Sequence, residues 1–156
     1  MYARTSAVFL LIVVGLATFF SGCGERPDEL GPYVKRLREV DSYNKRLVEY
    51  RNFLKADQSD KATTLSETIE AYLADLGTFG QTEDKVILAG HNALKRKLES
   101  ALKKIVEPDF PTFMISALKQ IDLIEEGYRA HVVSLKKRWD EEERQDEFTL
   151  AWPTEE

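Results

Sequence analysis

Residues 28–55 read DELGPYVKRLREVDSYNKRLVEYRNFLK. Apolar residues recur in this stretch at alternating spacings of three and four, the pattern of an amphipathic helix with a heptad seam. We therefore predict one long helix over residues 28–55. Two polar residues, Asn44 and Arg51, interrupt the seam, and they either fix the packing register or line a polar pocket. The seam positions are Leu30, Tyr33, Leu37, Val40, Asn44, Leu47, Arg51 and Leu54.

Three later stretches repeat the helical spacing, and no stretch alternates with period two. We expect Asp57 or Ser59 to cap the second helix and Thr82 to cap the third. The fourth helix is expected to extend as far as Glu147. The three seams are Leu65, Ile69, Tyr72 and Leu76; then Ile87, His91, Leu94, Leu98, Ala101 and Ile105; then Phe110, Met114, Ala117, Ile121, Ile124, Tyr128, His131 and Leu135.

Four amphipathic helices joined by short loops favour an all-α fold, an antiparallel up-down four-helix bundle. The fourth helix is the longest, so we expect its C-terminal part to overhang the bundle. The predicted bundle domain covers residues 29–147, and an irregular tail covers residues 148–156. Phe148, Leu150 and Trp152 alternate in that tail and can fold back onto the helices.

The N-terminal segment has a different composition. Arg4 precedes an apolar run at residues 7–20, and the run ends in Phe20-Ser21-Gly22-Cys23. This arrangement resembles the signal peptide and lipobox of bacterial lipoproteins, with Phe20 where leucine is usual. The resemblance implies recognition of Phe20, Ser21 and Gly22 by the signal peptidase and removal of residues 1–22. It also implies lipidation of Cys23, followed by a short linker over residues 23–28.

An alternative is an uncleaved transmembrane anchor, because residues 5–24 form an uncharged stretch of about the length that spans a bilayer. The position of Cys23 favours the lipoprotein interpretation. Gly24 after the cysteine resembles the address of an outer-membrane lipoprotein. We therefore expect a lipid-anchored protein of the bacterial cell envelope, on the outer membrane and facing the periplasm.

The processed chain would lose only Arg4 from its 22 basic residues and keep all 27 acidic ones, for a net charge near −6. That charge argues against nucleic-acid binding. Cys23 is the only cysteine, so no disulfide within the chain is expected. We find no haem-attachment, zinc-protease, serine-hydrolase or phosphate-loop motif. These observations predict a protein that is not an enzyme and carries no cofactor.

Both histidines of the chain, His91 and His131, lie on apolar seams. If the third and fourth helices form a hairpin that closes near residue 108, the two rings are offset by about 7 Å along the axis. Neither histidine has a carboxylate three or four residues before it. We therefore predict two core histidines and no metal site. The alternative is a small-ligand or metal site built from His91, Tyr128 and His131.

Charge is distributed unevenly along the last two predicted helices. Residues 95–104 are mainly basic, and residues 140–147 are mainly acidic. The leading hypothesis is a binding, scaffolding or accessory subunit, held at a membrane through Cys23 and docked on an envelope protein. The other two hypotheses are a small-ligand or metal-binding bundle and a self-associating coiled-coil module.

Overall fold

The computed structural model describes residues 27–105 and 110–154. Over these two ranges the chain forms five α-helices and one short 3-10 helix, with no strand. The prediction of an all-α fold is therefore confirmed. The helices are α1 (Leu30–Glu39), α2 (Asp41–Lys55), the 3-10 helix (Ser59–Ala62), α3 (Leu65–Leu76), α4 (Lys85–Lys104) and α5 (Phe110–Glu141).

The first predicted helix is interrupted at Val40, whose φ of −91° and ψ of 3° separate α1 from α2. Val40, Asp41 and Ser42 are three successive residues of modest helix propensity, which is a local reason for a break at this point. The seam nevertheless continues across the break. Leu37 before it and Asn44 after it are both fully buried.

Neither Asp57 nor Ser59 caps α3. Asp57 has a left-handed φ of 59° and ends α2 instead, with the backbone N–H of Gln58 returning to the carbonyl of Phe53 at 2.8 Å. Aspartate tolerates this conformation better than most residues do. Ser59 begins the 3-10 helix, so α3 starts later than the capping pattern predicts, at Leu65.

The predicted cap of α4 is also displaced by two residues. Asp84, not Thr82, is the N-cap, and its carboxylate accepts hydrogen bonds from the N–H groups of Val86 at 2.8 Å and Ile87 at 3.2 Å. Thr82 donates to the carboxylate of Glu29 instead. This contact ties the start of α1 to the start of α4.

The long helix α5 ends at Glu141 and not at Glu147. Glu143 takes a left-handed φ of 49°, and the chain then turns back along α5. The guanidinium of Arg138 lies 2.7 Å from the carboxylate of Asp84, so the end of α5 lies beside the start of α4. The predicted C-terminal overhang is therefore wrong. Arg138 pairs with Asp84 of the α4 cap, while Lys136 and Lys137 pair with Asp140 and Glu141 within α5.

The returning tail packs onto α5. Trp139 donates a hydrogen bond from Nε1 to the carbonyl of Asp146 at 2.9 Å, and its ring contacts Phe148. Leu150 and Trp152 are both buried. Leu150 and Trp152 therefore belong to the hydrophobic core, and Phe148 packs against it.

The core lies between the helices as a single apolar cluster with side chains from all five. Helix α5 makes its most extensive contact with α4 and also packs against α1 and α2, while α3 packs against α2 and α4. None of the helices in the described ranges is long and apolar enough to cross a membrane.

Candidate functional site

The most distinctive feature of the core is a cluster of three polar aromatic side chains. The hydroxyl of Tyr33 on α1 lies 3.1 Å from Nδ1 of His91 on α4 and 2.7 Å from Nε2 of His131 on α5. The three residues are 6 %, 4 % and 2 % exposed, respectively. One phenol oxygen therefore joins two imidazole rings from different helices.

The two rings meet because the register of α4 against α5 differs from the predicted one. Asp84 pairs with Arg138, and Lys97 pairs with Glu126 at 3.0 Å. Counting along the helices from either pair puts His91 opposite His131. The predicted offset of about 7 Å is therefore wrong. The predicted offset assumed a tight hairpin that closes near residue 108. In the structure the hydroxyl of Ser116 donates to the carbonyl of Lys104, the last residue of α4, so the connection is wider.

Two glycines make room for the histidine rings. A Cβ at Gly80, whose φ is 104°, would overlap the ring of His91. A Cβ at Gly90 would overlap the ring of His131. Glycine is unfavourable inside a helix by about 1 kcal/mol relative to alanine. Its presence at position 90 of α4 is explained by the close approach of the histidine.

The hydrogen-bonding pattern constrains the ring protons. Tyr33 has one hydroxyl proton, so it donates to one ring and accepts from the other. Nδ1 of His131 is buried and has no hydrogen-bond partner. Since a buried N–H without an acceptor is rarer than an unpaired acceptor, we assign the His131 proton to Nε2. Tyr33 then accepts from His131 and donates to Nδ1 of His91.

Burial sets the protonation states of the cluster. It lowers the pKa of His131 to about 4, and the neighbouring His91 adds to that shift. Burial also lowers the pKa of His91, with a smaller contribution from Lys95, and raises the pKa of Tyr33. All three groups are therefore neutral near pH 7. Each neutral imidazole then has one unprotonated nitrogen, which is Nδ1 in both rings.

The cluster is covered by the segment between α3 and α4. The ring of Phe79 lies 5.7 Å from Tyr33 and 5.7 Å from His91, measured between centroids. The guanidinium of Arg36 lies 5.6 Å from the centre of the Phe79 ring. Phe79 is partly buried, whereas the three side chains beneath it are buried. This aromatic side chain therefore separates the cluster from solvent on that side.

Tyr128 is not part of this cluster. Its ring contacts Trp152 at 5.7 Å, and burial raises the pKa of its hydroxyl, with further effects from Asp41 and Asn44 on the first seam's side of the core. Burial likewise raises the pKa of Tyr72, and Asn44 opposes that rise. The residue that joins the histidines is instead Tyr33. Its only sequence signal is its place on the first seam, and Tyr72 and Tyr128 share that kind of position.

Arg51, the other polar residue of the first seam, forms an ion-pair network with α5. Its guanidinium lies 3.0 Å from Asp122 and contacts Glu125, which also binds Arg129 at 2.6 Å. Burial opposes the ionisation of Glu125, but the hydrogen bonds from both arginines prevail and lower its pKa. This network pairs Arg51 with acidic residues of α5.

Cys23 and the preceding Phe20, Ser21 and Gly22 lie outside the described residues. Among the residues that the structure describes, no three His, Cys, Asp or Glu side chains are grouped to hold a metal ion. The donors that do converge are the two histidines and a tyrosine. They can share protons, or they can offer two nitrogens and one oxygen to a cation.

The fold and the cluster define an all-helical protein with a buried tyrosine–histidine site. No protein-family model, curated protein or solved structure matches the chain. Its function must therefore be argued from its own residues.

Proposed function

We propose that this chain is a lipid-anchored protein of the bacterial cell envelope that binds or scaffolds a partner and is not a catalyst. The sequence Phe20-Ser21-Gly22-Cys23 after an apolar run carries this proposal. Removal of residues 1–22 would leave Cys23 as the first residue. Lipidation there with two or more acyl chains gives a stable membrane anchor, whereas one chain binds only marginally. We place the protein on the outer membrane, facing the periplasm.

The start of the described chain supports a short tether. Asp28 is only five residues after Cys23, and its carboxylate pairs with Arg144 of the returning tail. This hydrogen bond lowers the pKa of Asp28, and the guanidinium of Arg144 also lies 4.8 Å from the centre of the Trp139 ring. A tether fixed this close to the folded domain would hold one end of it near the membrane.

We further propose that the helices form an antiparallel up-down bundle of four, with α1 and α2 together as the first member. Contacts between the first and second members run in opposite directions, since Tyr50 bonds Thr64 at 2.7 Å while Arg36 bonds Thr78 at 3.3 Å. The Arg138–Asp84 ion pair and the Lys104–Ser116 hydrogen bond support the same direction for α4 and α5. This arrangement is the usual one for helices joined by short loops.

In such a bundle, the end of α4 lies opposite the tether and carries two lysines. Lys103 and Lys104 are exposed at the end of α4, where cations suit the helix dipole. Ile115 is 66 % exposed next to them, since the neighbouring Ser116 bonds the carbonyl of Lys104. We propose this lysine–isoleucine end as the docking surface for an acidic envelope protein. Charge complementarity would set the specificity and the rate of association.

The anchor is tested by expressing the full chain with its native N-terminus in a bacterium with two membranes, beside a Cys23→Ala variant. We expect the native chain to incorporate labelled fatty acid and to sediment with the outer membrane. The variant should remain unlabelled. A Cys23→Ala chain that resists extraction from the membrane with alkaline carbonate would replace the lipid anchor with a transmembrane one.

The docking surface is tested by crosslinking in intact cells. We expect a Lys103→Glu, Lys104→Glu variant to lose a protein adduct that the native chain forms. A Lys35→Glu, Lys45→Glu variant makes the same charge change at exposed positions on α1 and α2 and should keep the adduct. Equal loss in both variants would show that net charge matters and that this end does not. An absence of any protein adduct would contradict the scaffolding role.

A further inference from the structure

The tyrosine–histidine cluster has an arrangement that its role as core packing does not require. Nδ1 of His91 and Nε2 of His131 are both directed at the oxygen of Tyr33, and the three atoms come from three different helices. A tautomer of each ring leaves the nitrogen that faces Tyr33 unprotonated, and two such nitrogens with one phenol oxygen are a familiar donor set for borderline transition-metal ions. The chain has two histidines, and both contact the oxygen of Tyr33.

The distances in the cluster are close to those of a metal's coordination shell. Zinc binds imidazole nitrogen at about 2.0–2.1 Å, so two ligands of a tetrahedral ion lie about 3.3 Å apart. The oxygen of Tyr33 lies 3.1 Å and 2.7 Å from the two nitrogens. The two contacts of this oxygen are therefore close to the separation of two ligands of one ion.

We propose that Tyr33, His91 and His131 bind one divalent transition-metal ion, Zn²⁺ or Cu²⁺, in exchange for the phenol proton. The ion takes Nδ1 of His91, Nε2 of His131 and the oxygen of Tyr33, which releases its proton to solvent. The ring proton of His131 moves from Nε2 to Nδ1, so that ring stays neutral. One proton leaves for each ion bound. A fourth coordination position stays open to water or a ligand.

The route to the site lies through the segment that covers it. Phe79 stands between Gly77 and Gly80, and Gly80 has the left-handed φ that favours glycine. Phe79 is only partly buried, and its ring contacts both Tyr33 and His91. Rotation of this side chain would uncover two of the three donors. We assign Phe79 as the cover of the site.

The surroundings of His131 set an upper limit on the affinity. Metal-bound histidines usually donate their second N–H to a carboxylate, a carbonyl or water, and loss of such a partner costs about 10–100-fold in affinity. Nδ1 of His131 has no partner. We therefore expect binding about 10–100-fold weaker than at a fully supported site of the same donors, with Cu²⁺ preferred over Zn²⁺.

The test uses the full chain in detergent with Cys23→Ser, because a free thiol would itself bind these ions. Titration with Cu²⁺ should show one ion bound per chain, one proton released and a visible phenolate-to-copper charge-transfer band. Zn²⁺ should compete for the same site. Because this chain carries no lipidation site, the result is independent of the proposed anchor.

Two tyrosine variants in the same background separate the site from adventitious binding. Tyr33→Phe should abolish the charge-transfer band and weaken Cu²⁺ binding at least tenfold. Tyr50→Phe removes another buried hydroxyl, one that bonds Thr64 and Thr68, and should change neither readout. An unaltered band in a helical Tyr33→Phe chain would overturn the proposal. If Tyr33→Phe fails to fold, the Cys23→Ser chain alone still tests the proposal. A Cu²⁺ titration of that chain that shows neither a charge-transfer band nor proton release would exclude coordination by the phenolate.

Discussion

Tyr33 joins two helices to a third through a single hydroxyl group. Its oxygen contacts a ring nitrogen of His91 and one of His131, and all three side chains are buried. Breaking a buried hydrogen-bond network leaves unsatisfied groups that cost about 1–3 kcal/mol each. The cluster is therefore a structural constraint on the core as well as a candidate site.

Acid should destabilise the protein through His131. Its pKa falls from an ordinary 6.5 to about 4 in the folded chain. Below pH 6.5 the unfolded state then binds more protons, so stability decreases as the pH falls from about 6.5 towards 4. The loss amounts to about 3 kcal/mol at most. Urea denaturation of the native chain and of His131→Gln at pH 7.5 and pH 5 measures it.

The free energies of unfolding of the native chain and of His131→Gln should be closer at pH 5 than at pH 7.5. Only the native chain has a group at position 131 that binds a proton on unfolding. Tyr33 hydrogen-bonds that ring and His91 contributes to its low pKa, and both residues are present in both proteins. A stability difference that is equal at the two pH values would contradict the burial of a neutral His131.

Gly90 and Gly127 should respond in opposite ways to alanine. A Cβ at Gly90 would overlap the His131 ring, whereas one at Gly127 would meet only the flexible side chain of Lys97. We expect Gly90→Ala to destabilise by about 1–3 kcal/mol through overpacking. Gly127→Ala should stabilise by up to about 1 kcal/mol through helix propensity. Thermal or urea unfolding gives both values, and stabilisation by Gly90→Ala would place the His131 ring elsewhere.

At the scale of the helices, the Arg51 network ties α2 to α5. The side chain of Arg51 is 8 % exposed, and that of its partner Glu125 is 17 % exposed. Removing one member of a buried ion pair costs about 3–5 kcal/mol. We expect the Arg51→Ala substitution to lower the free energy of unfolding by an amount in this range, measured by urea denaturation. Lys136→Ala is the control, because it breaks an exposed ion pair with Asp140 on the same helix. It should lower the free energy of unfolding by less than about 0.5 kcal/mol. Equal effects would show that Arg51 is solvated.

The returning tail is the second element whose contribution can be measured. Trp152 is 5 % exposed and its ring contacts Tyr128 on α5. Truncating a buried tryptophan in a core costs about 3–5 kcal/mol of stability. Because the tail can rearrange around the missing side chain, the cost here should lie at the lower end of that range. We expect Trp152→Ala to destabilise by about 3 kcal/mol and Thr149→Ala, at an exposed position, by less than about 0.5 kcal/mol. Full stability of Trp152→Ala would mean that the tail is detached.

Periodicity predicted the buried faces of the helices well. The second-helix seam Leu65, Ile69, Tyr72 and Leu76 is fully buried, and so is Asn44 on the first seam. Helix ends were predicted less well, because several polar residues near each end can act as a cap. Asp84 and Thr82 are both suitable, and only the tertiary contact of Thr82 with Glu29 decides between them.

The site could be predicted only in part, for a geometric reason. Both histidines were identified, but pairing them requires the register of α4 against α5. A change of five residues in that register moves one ring by about 7 Å relative to the other. Tyr33 is about 60 residues from His91 in the chain, so no local spacing connects them. The cluster therefore depends on how the helices pack against one another, which the pattern within a single helix does not give.

At the scale of the whole molecule, the charge and the proposed anchor give a consistent orientation. Asp28 and Arg144 lie at the end where the described chain begins, and exposed Lys103 and Lys104 lie at the end of α4. A protein held by its N-terminus would present the end with these two lysines away from the proposed anchor. The buried tyrosine–histidine cluster would then lie between anchor and docking surface.

The central claim is that Cys23 becomes the lipidated first residue of the mature chain. Intact-mass and peptide mass spectrometry of the protein purified from bacterial membranes tests it most directly. We expect residues 1–22 to be absent and the N-terminal peptide to begin at Cys23 with the added mass of a diacylglycerol group. A membrane-bound chain that still begins at Met1 with an unmodified Cys23 would contradict the account.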